Sequence, residues 1–534
     1  MRNHTLASPK NQRMKLRFYI IVVLSIVVYS SNLGGFSIYI LDEAKNASCA
    51  MEMMQRDDLI VPTFNGKLRT DKPPLHYYFM IASYKAFGVT PFAARFFSAV
   101  AGMFLIVLTY LNVKKLTRES VAFYTSLVLL SSLQLAIQFH LAVPDPYLIF
   151  LLCVGLFSLF NGLQGDHRQF YLFYVAIALA FLTKGLVAIV LPGLIVLIYL
   201  ILKKEIGWSL IRRLKIIEGV VIFCVVALPW YVAVGMATDG AWLKGFFIEH
   251  NLDRYTSTME GHRGFPLAPF VIMVAALLPF SVFVVQAVRH SVQSKNSFLL
   301  FCLVVCVVFG VFFSFSQTIL PSYLAPAVPF LAIVMGYYLD YWVRNFQVLS
   351  RTGLWIGGII NIVIGFAICL IVYFALANEV GLVSMRYLCL MFMVIPLGLA
   401  IGWYFGLSDR PKQLIYFWAG SWILTSILFF YVAFPPIDVR NPVSESAAII
   451  EKSDYSERRV IGYKLFNPAM VFKLKKTIEV FDSPDQLKSI MNSEKVILIT
   501  RQKYVQELPV DSLMHVLYRG KDLFERNETV ILVN

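Results

Sequence analysis

Charge is what this sequence has least of. Only 15% of its 534 residues are Asp, Glu, Lys or Arg, while 58% are hydrophobic. A soluble domain carries about 25% charged residues, so a soluble fold is excluded and a bilayer protein is expected. Acidic residues are the rarer sign, 32 against 47 basic, for a net charge of +15. That excess does not call for nucleic acid. Lys and Arg sit in short loops between apolar runs, the mark of membrane topology and not of a basic binding stripe.

Cysteine is sparse and badly placed for structure. The seven residues are Cys49, Cys153, Cys224, Cys302, Cys306, Cys369 and Cys389. Most lie in apolar segments, and no CxxC or Cys/His spacing occurs, so neither disulfides nor a structural zinc site is expected. Internal repeats and low-complexity stretches are missing too. Ile20 to Ile40 is too long for a signal-peptide core and lacks a small-x-small cleavage site, so it reads as a retained anchor.

What the chain has is long apolar runs. Candidate spans lie near 18–39, 94–112, 121–139, 146–163, 169–183, 186–202, 216–236, 267–288, 297–315, 322–342, 353–376, 384–405 and 413–434, about 13 helices. The arm carrying Arg2, Lys10, Arg13, Lys15 and Arg17 and the alternate loops hold 20 basic residues; the opposite loops hold 12, seven of them between Lys45 and Arg95. The richer side is read as cytoplasmic. Loops 40–93, 140–145, 184–185, 237–266, 316–321 and 377–383, with the tail, then face outside. The expected fold is a polytopic α-helical membrane domain, 1–434, followed by a small α/β domain, 435–534.

In loop 40–93, Glu43 to Gln55 reads as an amphipathic interfacial helix with Ala44, Ala47, Ala50, Met51 and Met54 on one face. Pro73-Pro74 opens a second helix, His76 to Lys85. The tail alternates β-rich runs, 459–463, 477–481, 495–500 and 529–533, with helical stretches at 444–452 and 483–491. It predicts a mixed sheet and has no glycine-rich phosphate loop.

The candidate chemistry gathers on the outer side. Asp42, Glu43 and Lys45 follow the first span; Asp71 and Lys72 precede the second helix. Asp145 stands between Pro144 and Pro146, Lys184 in Thr183-Lys184-Gly185, and Tyr323 after Pro321. Arg254, His262 and Arg263 lie in loop 237–266. Several acids and bases on one face suit an anion site with a general base at hand, such as one holding a lipid phosphate. Each has a plainer reading. Asp145 serves equally as a helix cap, Lys184 as a snorkelling lysine, Tyr323 as a member of an aromatic belt, and His262 as a solvated loop residue.

Asp42-Glu43-Ala44, Val61-Pro62, Asn65-Gly66, Asp71-Lys72-Pro73-Pro74, Phe92-Ala93-Ala94-Arg95, Pro144-Asp145, Thr183-Lys184-Gly185, Pro229-Trp230-Tyr231, Glu249-His250-Asn251 with Arg254, and Leu320-Pro321 with Tyr323 occur in that order. The set resembles the aminoarabinose-transferase-like (ArnT-like) GT-C membrane glycosyltransferases, relatives of the protein O-mannosyltransferases. The resemblance implies an inverting glycosyltransferase of a bacterial inner membrane, its active site and tail facing the periplasm. It would use a polyprenyl (undecaprenyl) phosphate sugar as donor and a lipid or glycan acceptor such as lipid A, or a protein hydroxyl. It implies Asp42 as catalytic base, with Glu43 beside it and Asp145 as a second acid. Lys45, Lys72, Lys184 and Tyr323 would hold the donor phosphate, with Arg254 among the substrate-binding residues. Asp71 and His262 would be ligands for a divalent metal ion. Lys45 stands where the family has Arg, Asp71 where it has Glu, and Ile319 where a Lys is common. A lipid-head-group transporter is the competing class, without the paired broken helices that class uses. A membrane anchor presenting the tail as a binding module would leave the many spans unexplained.

Overall fold

Inside a bilayer an apolar run satisfies its backbone only as a helix or a closed barrel, and each of the predicted runs is helical over most of its length. The computed structural model describes residues 9–205, 207, 212–252, 265–348, 351–452, 455, 457–508 and 514–534. Among them, eight helices are long and apolar enough to cross a membrane: Pro91–Leu116, Asp145–Leu163, Ile216–Ala237, Ser297–Ser314, Pro321–Arg344, Thr352–Ala377, Val383–Leu407 and Pro411–Asp438. Two more runs are bent pairs. Glu119–Leu130 meets Leu133–Phe139 at 70°, and Ala268–Ala275 meets Phe280–Gln293 at 116°. Counting each bent pair as one span gives up to ten among the described residues by length and composition, beside the expected count of about 13 helices. Gln169–Lys184 and Val187–Lys203 are apolar but shorter.

In chain order the first elements are α1 Pro9–Tyr29, α2 Leu41–Gln55, α3 Leu75–Phe87, α4 Pro91–Leu116, α5 Glu119–Leu130, α6 Leu133–Phe139, α7 Asp145–Leu163, α8 Gln169–Lys184 and α9 Val187–Lys203. The first span, expected over 18–39, ends at Tyr29. Residues 30–40 are irregular because their carbonyls are taken elsewhere. The Arg95 guanidinium donates to the backbone oxygens of Leu33, Phe36 and Ser37 at 3.0, 2.9 and 2.8 Å.

The basic loops lie together at one end. Arg17 pairs with Glu119, Arg118 and Arg344 both meet Asp340, and Arg351 pairs with Asp409. At the other end Lys521 of the tail reaches Glu379 at 2.9 Å, and Ser37 donates from its amide and hydroxyl to Asp438 at 2.7 and 2.6 Å. The two loop sets thus separate as the charge pattern predicted.

The tail sheet runs β4-β3-β5-β7-β6, with β3 Arg459–Tyr463, β4 Glu479–Phe481, β5 Val496–Arg501, β6 His515–Lys521 and β7 Glu528–Val533. β3 is parallel to β4 and β5, and β7 is antiparallel to β5 and β6, so the sheet is mixed as expected. One core joins the tail to the loop after the first span. Ala47, Ala50, Met51 and Tyr77 pack with Met470, Val471, Ile499 and Ile531. α2 is therefore buried nearly all round, between α3 and the tail helix Ala469–Leu474. It does not lie half-submerged at the interface, because the tail covers the face that lipid or water would have met. The β1–β2 hairpin, Thr63–Phe64 and Lys67–Leu68, connects α2 to α3.

Candidate functional site

The N-terminal halves of α7 and α9, the end of α8 and the segments near 71, 246, 312 and 323 line a cavity of about 580 Å³. Its polar rim is Asp71, Lys72, Lys184, Ser316 and Tyr323. Its wall is hydrocarbon and aromatic: Leu148, Leu152, Val190, Leu191, Phe246, Phe247, Phe309, Phe312 and Phe313. Four of the loops assigned to one side thus contribute to a single chamber. Two lysines and one carboxylate share a chamber that is otherwise mostly apolar, a lining suited to an amphiphilic ligand with a polar head.

Lys184 ends α8 and turns into this rim. Its Nζ lies 2.6 Å from Asp145 Oδ1 and 4.9 Å from the centroid of the Tyr323 ring. It pairs and does not snorkel. Asp145 is the first residue of α7 and only 9% exposed, an acid in the first turn whose carboxylate also pairs with Lys184. Gly185, at φ +73, lets the Phe246 ring approach: a Cβ there would stand 2.5 Å from Phe246 Cζ. A larger residue would be strained by its backbone and by that ring.

Asp71 and Lys72 follow the hairpin. The intervening Arg69 is 4% exposed and was not among the sequence candidates. Its Nη2 lies 3.3 Å from Asp71 Oδ2 and donates to Asn46 Oδ1 at 3.1 Å, while its carbonyl accepts the Trp242 indole N–H at 2.8 Å. Burial alone would lower the Arg69 pKa; neighbouring Tyr77, Cys49, Asp71 and Asp42 outweigh it and raise it above the ordinary arginine value. Asp42 is exposed in the first turn of α2 and Lys45 half-buried one turn on. Neither lines the cavity; Arg69, paired with Asp71, also feels the charge of Asp42. Beneath them His76 is fully buried, and burial, then Arg69 and Lys72, press its pKa well below 6.5.

Glu43, expected beside Asp42 in the chemistry, is buried and paired. It is 1% exposed, and its oxygens accept from Arg95 Nε and Nη2 at 2.7 and 2.8 Å and from the Ala142 amide at 2.9 Å. With both oxygens engaged it ties the first turn of α2 to the turn before Asp145, the geometry of a positioning residue. Asp71, one of the two expected metal ligands, faces a guanidinium, and among the described residues no three His, Cys, Asp or Glu side chains gather as a ligand set. Arg254 and His262 lie outside the described residues.

Sequence reasoning missed Arg69, Trp242 and the aromatic wall at 246–247 and 309–313. The wall has no local signal, since a cavity-lining Phe and a lipid-facing Phe look alike in an apolar run. Arg69 carried one: an arginine two residues before Asp71 on the outer side, against the positive-inside trend.

The apolar helices define a multi-pass membrane protein, and the cavity is lined by apolar, aromatic and charged side chains. Residues 71–232 match the family described as dolichyl-phosphate-mannose-protein mannosyltransferase. An uncharacterized protein of Aquifex aeolicus (strain VF5) is 29% identical over 331 residues, 61% of this chain and 74% of that one. The undecaprenyl phosphate-alpha-4-amino-4-deoxy-L-arabinose arabinosyl transferase of Yersinia pestis (strain Pestoides F) is 27% identical over 368 residues, 66% of this chain and 64% of the relative. The crystal structure of ArnT from Cupriavidus metallidurans bound to undecaprenyl phosphate superposes with a TM-score of 0.81 at 20% identity, covering 96% of this chain and 97% of that one. The chain thus shares the fold of that ArnT structure, a polytopic α-helical membrane domain with a small C-terminal sheet.

Proposed function

We propose that this protein moves a sugar from a polyprenyl phosphate, undecaprenyl phosphate in a bacterium, to an acceptor at the periplasmic face of the inner membrane. Lipid A or another lipid-linked glycan is the acceptor the reading favours. The observation that carries it is the chamber itself: Lys72, Lys184 and Tyr323 on a rim above a long apolar wall. The name of the Yersinia relative and the ligand of the Cupriavidus structure point to the same donor chemistry.

In this reading the donor phosphate sits at the rim and its isoprenoid chain runs down the wall. Asp42 accepts the proton of the acceptor nucleophile. The acceptor oxygen bonds to the anomeric carbon as the bond from that carbon to the phosphate oxygen breaks, its electrons leaving with the phosphate. Lys72 and Lys184 meet the charge that develops there. A single displacement inverts the anomeric centre. Asp145 holds Lys184 toward the leaving group, and Lys45 and Arg254 are the further substrate-binding residues of this reading.

The test is to purify the protein in mild detergent, extract the lipid that travels with it and weigh it by mass spectrometry. A polyprenyl phosphate is expected. Its absence, together with no measurable binding of added undecaprenyl phosphate, overturns the reading. The match over 71–232 to a protein mannosyltransferase family favours a second acceptor, a protein hydroxyl. Labelled sugar recovered in protein instead of lipid would select it.

A further inference from the structure

The tail and the donor chamber meet through one short turn. Asn65 and Gly66 have φ of +53° and +72°, the two positive values a two-residue hairpin turn demands. The Asn65 side chain is not needed for that turn. It points to the tail, where its Nδ2 donates to the Ile478 carbonyl at 2.8 Å and its Oδ1 accepts the Ile478 amide at 2.7 Å. This reciprocal pair copies the bonding of two adjacent strands, just before β4.

From the other side the turn is held by Glu52 of α2, only 4% exposed. Its carboxylate accepts from the Asn65 amide at 2.6 Å, the Gly66 amide at 3.2 Å and the Thr63 hydroxyl at 2.7 Å. Beyond the hairpin the chain is pinned again. The Arg69 amide donates to the Pro62 carbonyl at 2.9 Å, and the Arg69 carbonyl takes the Trp242 indole. Arg69 then meets Asp71, and Lys72 follows in the rim. Every link between the tail and the rim is therefore a made hydrogen bond or a covalent step.

We infer that the C-terminal domain is a positioning element of the donor site: it grips the hairpin turn through Asn65 and so sets where Asp71 and Lys72 stand in the chamber. The inference rests on the donor-site reading above. It gives the tail a role although the domain has no phosphate loop of its own, and it makes Asn65 a positioning residue that touches no substrate.

The test uses the full-length protein in lipid nanodiscs with undecaprenyl phosphate as the probe. Asn65→Gly keeps a residue at ease with positive φ and deletes only the bridge to Ile478. Asn65→Asp retains the acceptor for the Ile478 amide and loses the donor. Donor affinity in Asn65→Gly should fall about fivefold, the equivalent of roughly one neutral hydrogen bond, with Asn65→Asp between it and the parent. Donor KM should rise in step while kcat at saturating donor stays within about twofold, a split that general loss of fold does not produce. Unchanged affinity and KM in either folded variant overturns the inference and leaves the donor site standing. A fall in kcat at constant KM also overturns it. Failure of the parent itself to bind undecaprenyl phosphate removes the donor-site reading, and this inference with it.

Discussion

The Glu43 carboxylate and the Arg95 guanidinium are joined by two hydrogen bonds, 2.7 Å at Nε and 2.8 Å at Nη2, with both side chains sealed from solvent. The other three N–H groups of Arg95 go to the Leu33, Phe36 and Ser37 carbonyls. The guanidinium also lies 3.9 Å from the centroid of the Phe36 ring. One residue of α4 thus fastens the irregular segment after α1 to the first turn of α2. Glu43 adds the Ala142 amide, three residues before Asp145. Asp42 and Asp145 are carried by segments that this pair holds in register.

Glu43→Gln leaves the guanidinium buried without its counter-charge. Breaking a buried pair from one side costs about 3–5 kcal/mol, so the variant should unfold at a clearly lower temperature than the parent, measured in detergent or nanodiscs. Asp42→Asn, one residue away and exposed, should leave that temperature nearly unchanged. Equal melting of Glu43→Gln and the parent would show that the pair does not hold the fold.

Asp42→Asn is close to isosteric but cannot take a proton near neutral pH. General-base catalysis contributes about 10²–10⁴-fold, so sugar transfer should fall at least by the lower of these while undecaprenyl phosphate still binds. Turnover within a few-fold of the parent would remove Asp42 from the chemistry and pass the base role to Asp145.

The rim lysines should be separable by sign. Lys72→Ala removes a cation from the chamber and should weaken donor binding by about tenfold, the scale of one hydrogen bond to a charged group. Asp145→Asn removes the carboxylate 2.6 Å from Lys184. It should tighten binding of the anionic lipid while slowing transfer. Isothermal titration with undecaprenyl phosphate checks both; weaker binding in Asp145→Asn would contradict the arrangement.

His76 gives a pH signature. Burial, then the charges of Arg69 and Lys72, hold its pKa well below 6.5 in the folded protein, so the unfolded chain binds the extra proton. This contribution to stability is present above about pH 6.5 and is lost as pH falls through and below that value. Melting temperature should drop between about pH 7.5 and 5.5, and drop less in His76→Gln, where nothing titrates at that position. Parallel curves for the two proteins would reject the assignment.

The orientation is open to a direct check. Fusion after Asn534 of a reporter active only in the cytoplasm should give no signal, as the charge asymmetry requires. An active reporter would place the chamber and tail on the cytoplasmic side.

Lys72, Lys184 and Tyr323 were legible as candidates because ionisable groups at a membrane edge are costly and rare, and the chamber collects all three on its rim. Glu43 looked the same in sequence as Asp42, its neighbour. Only the partner 52 residues away distinguishes the exposed carboxylate from the buried one. The edge strand His515–Lys521 escaped notice since its run of Arg, Gly and Lys has no apolar alternation; its pairing to β7 supplies the order.

By itself the sequence determined the apolar helices, the pattern in which charges gather and the strands near 459–463 and 495–500, because each follows from the local cost of burying charge or leaving backbone unbonded. The tertiary structure alone decided that the first span stops at Tyr29, that α2 is roofed by the tail, and that the hairpin at Asn65 meets Ile478. Those outcomes depend on groups far apart in the chain filling one another's hydrogen bonds and apolar surfaces, and no window of sequence contains both partners.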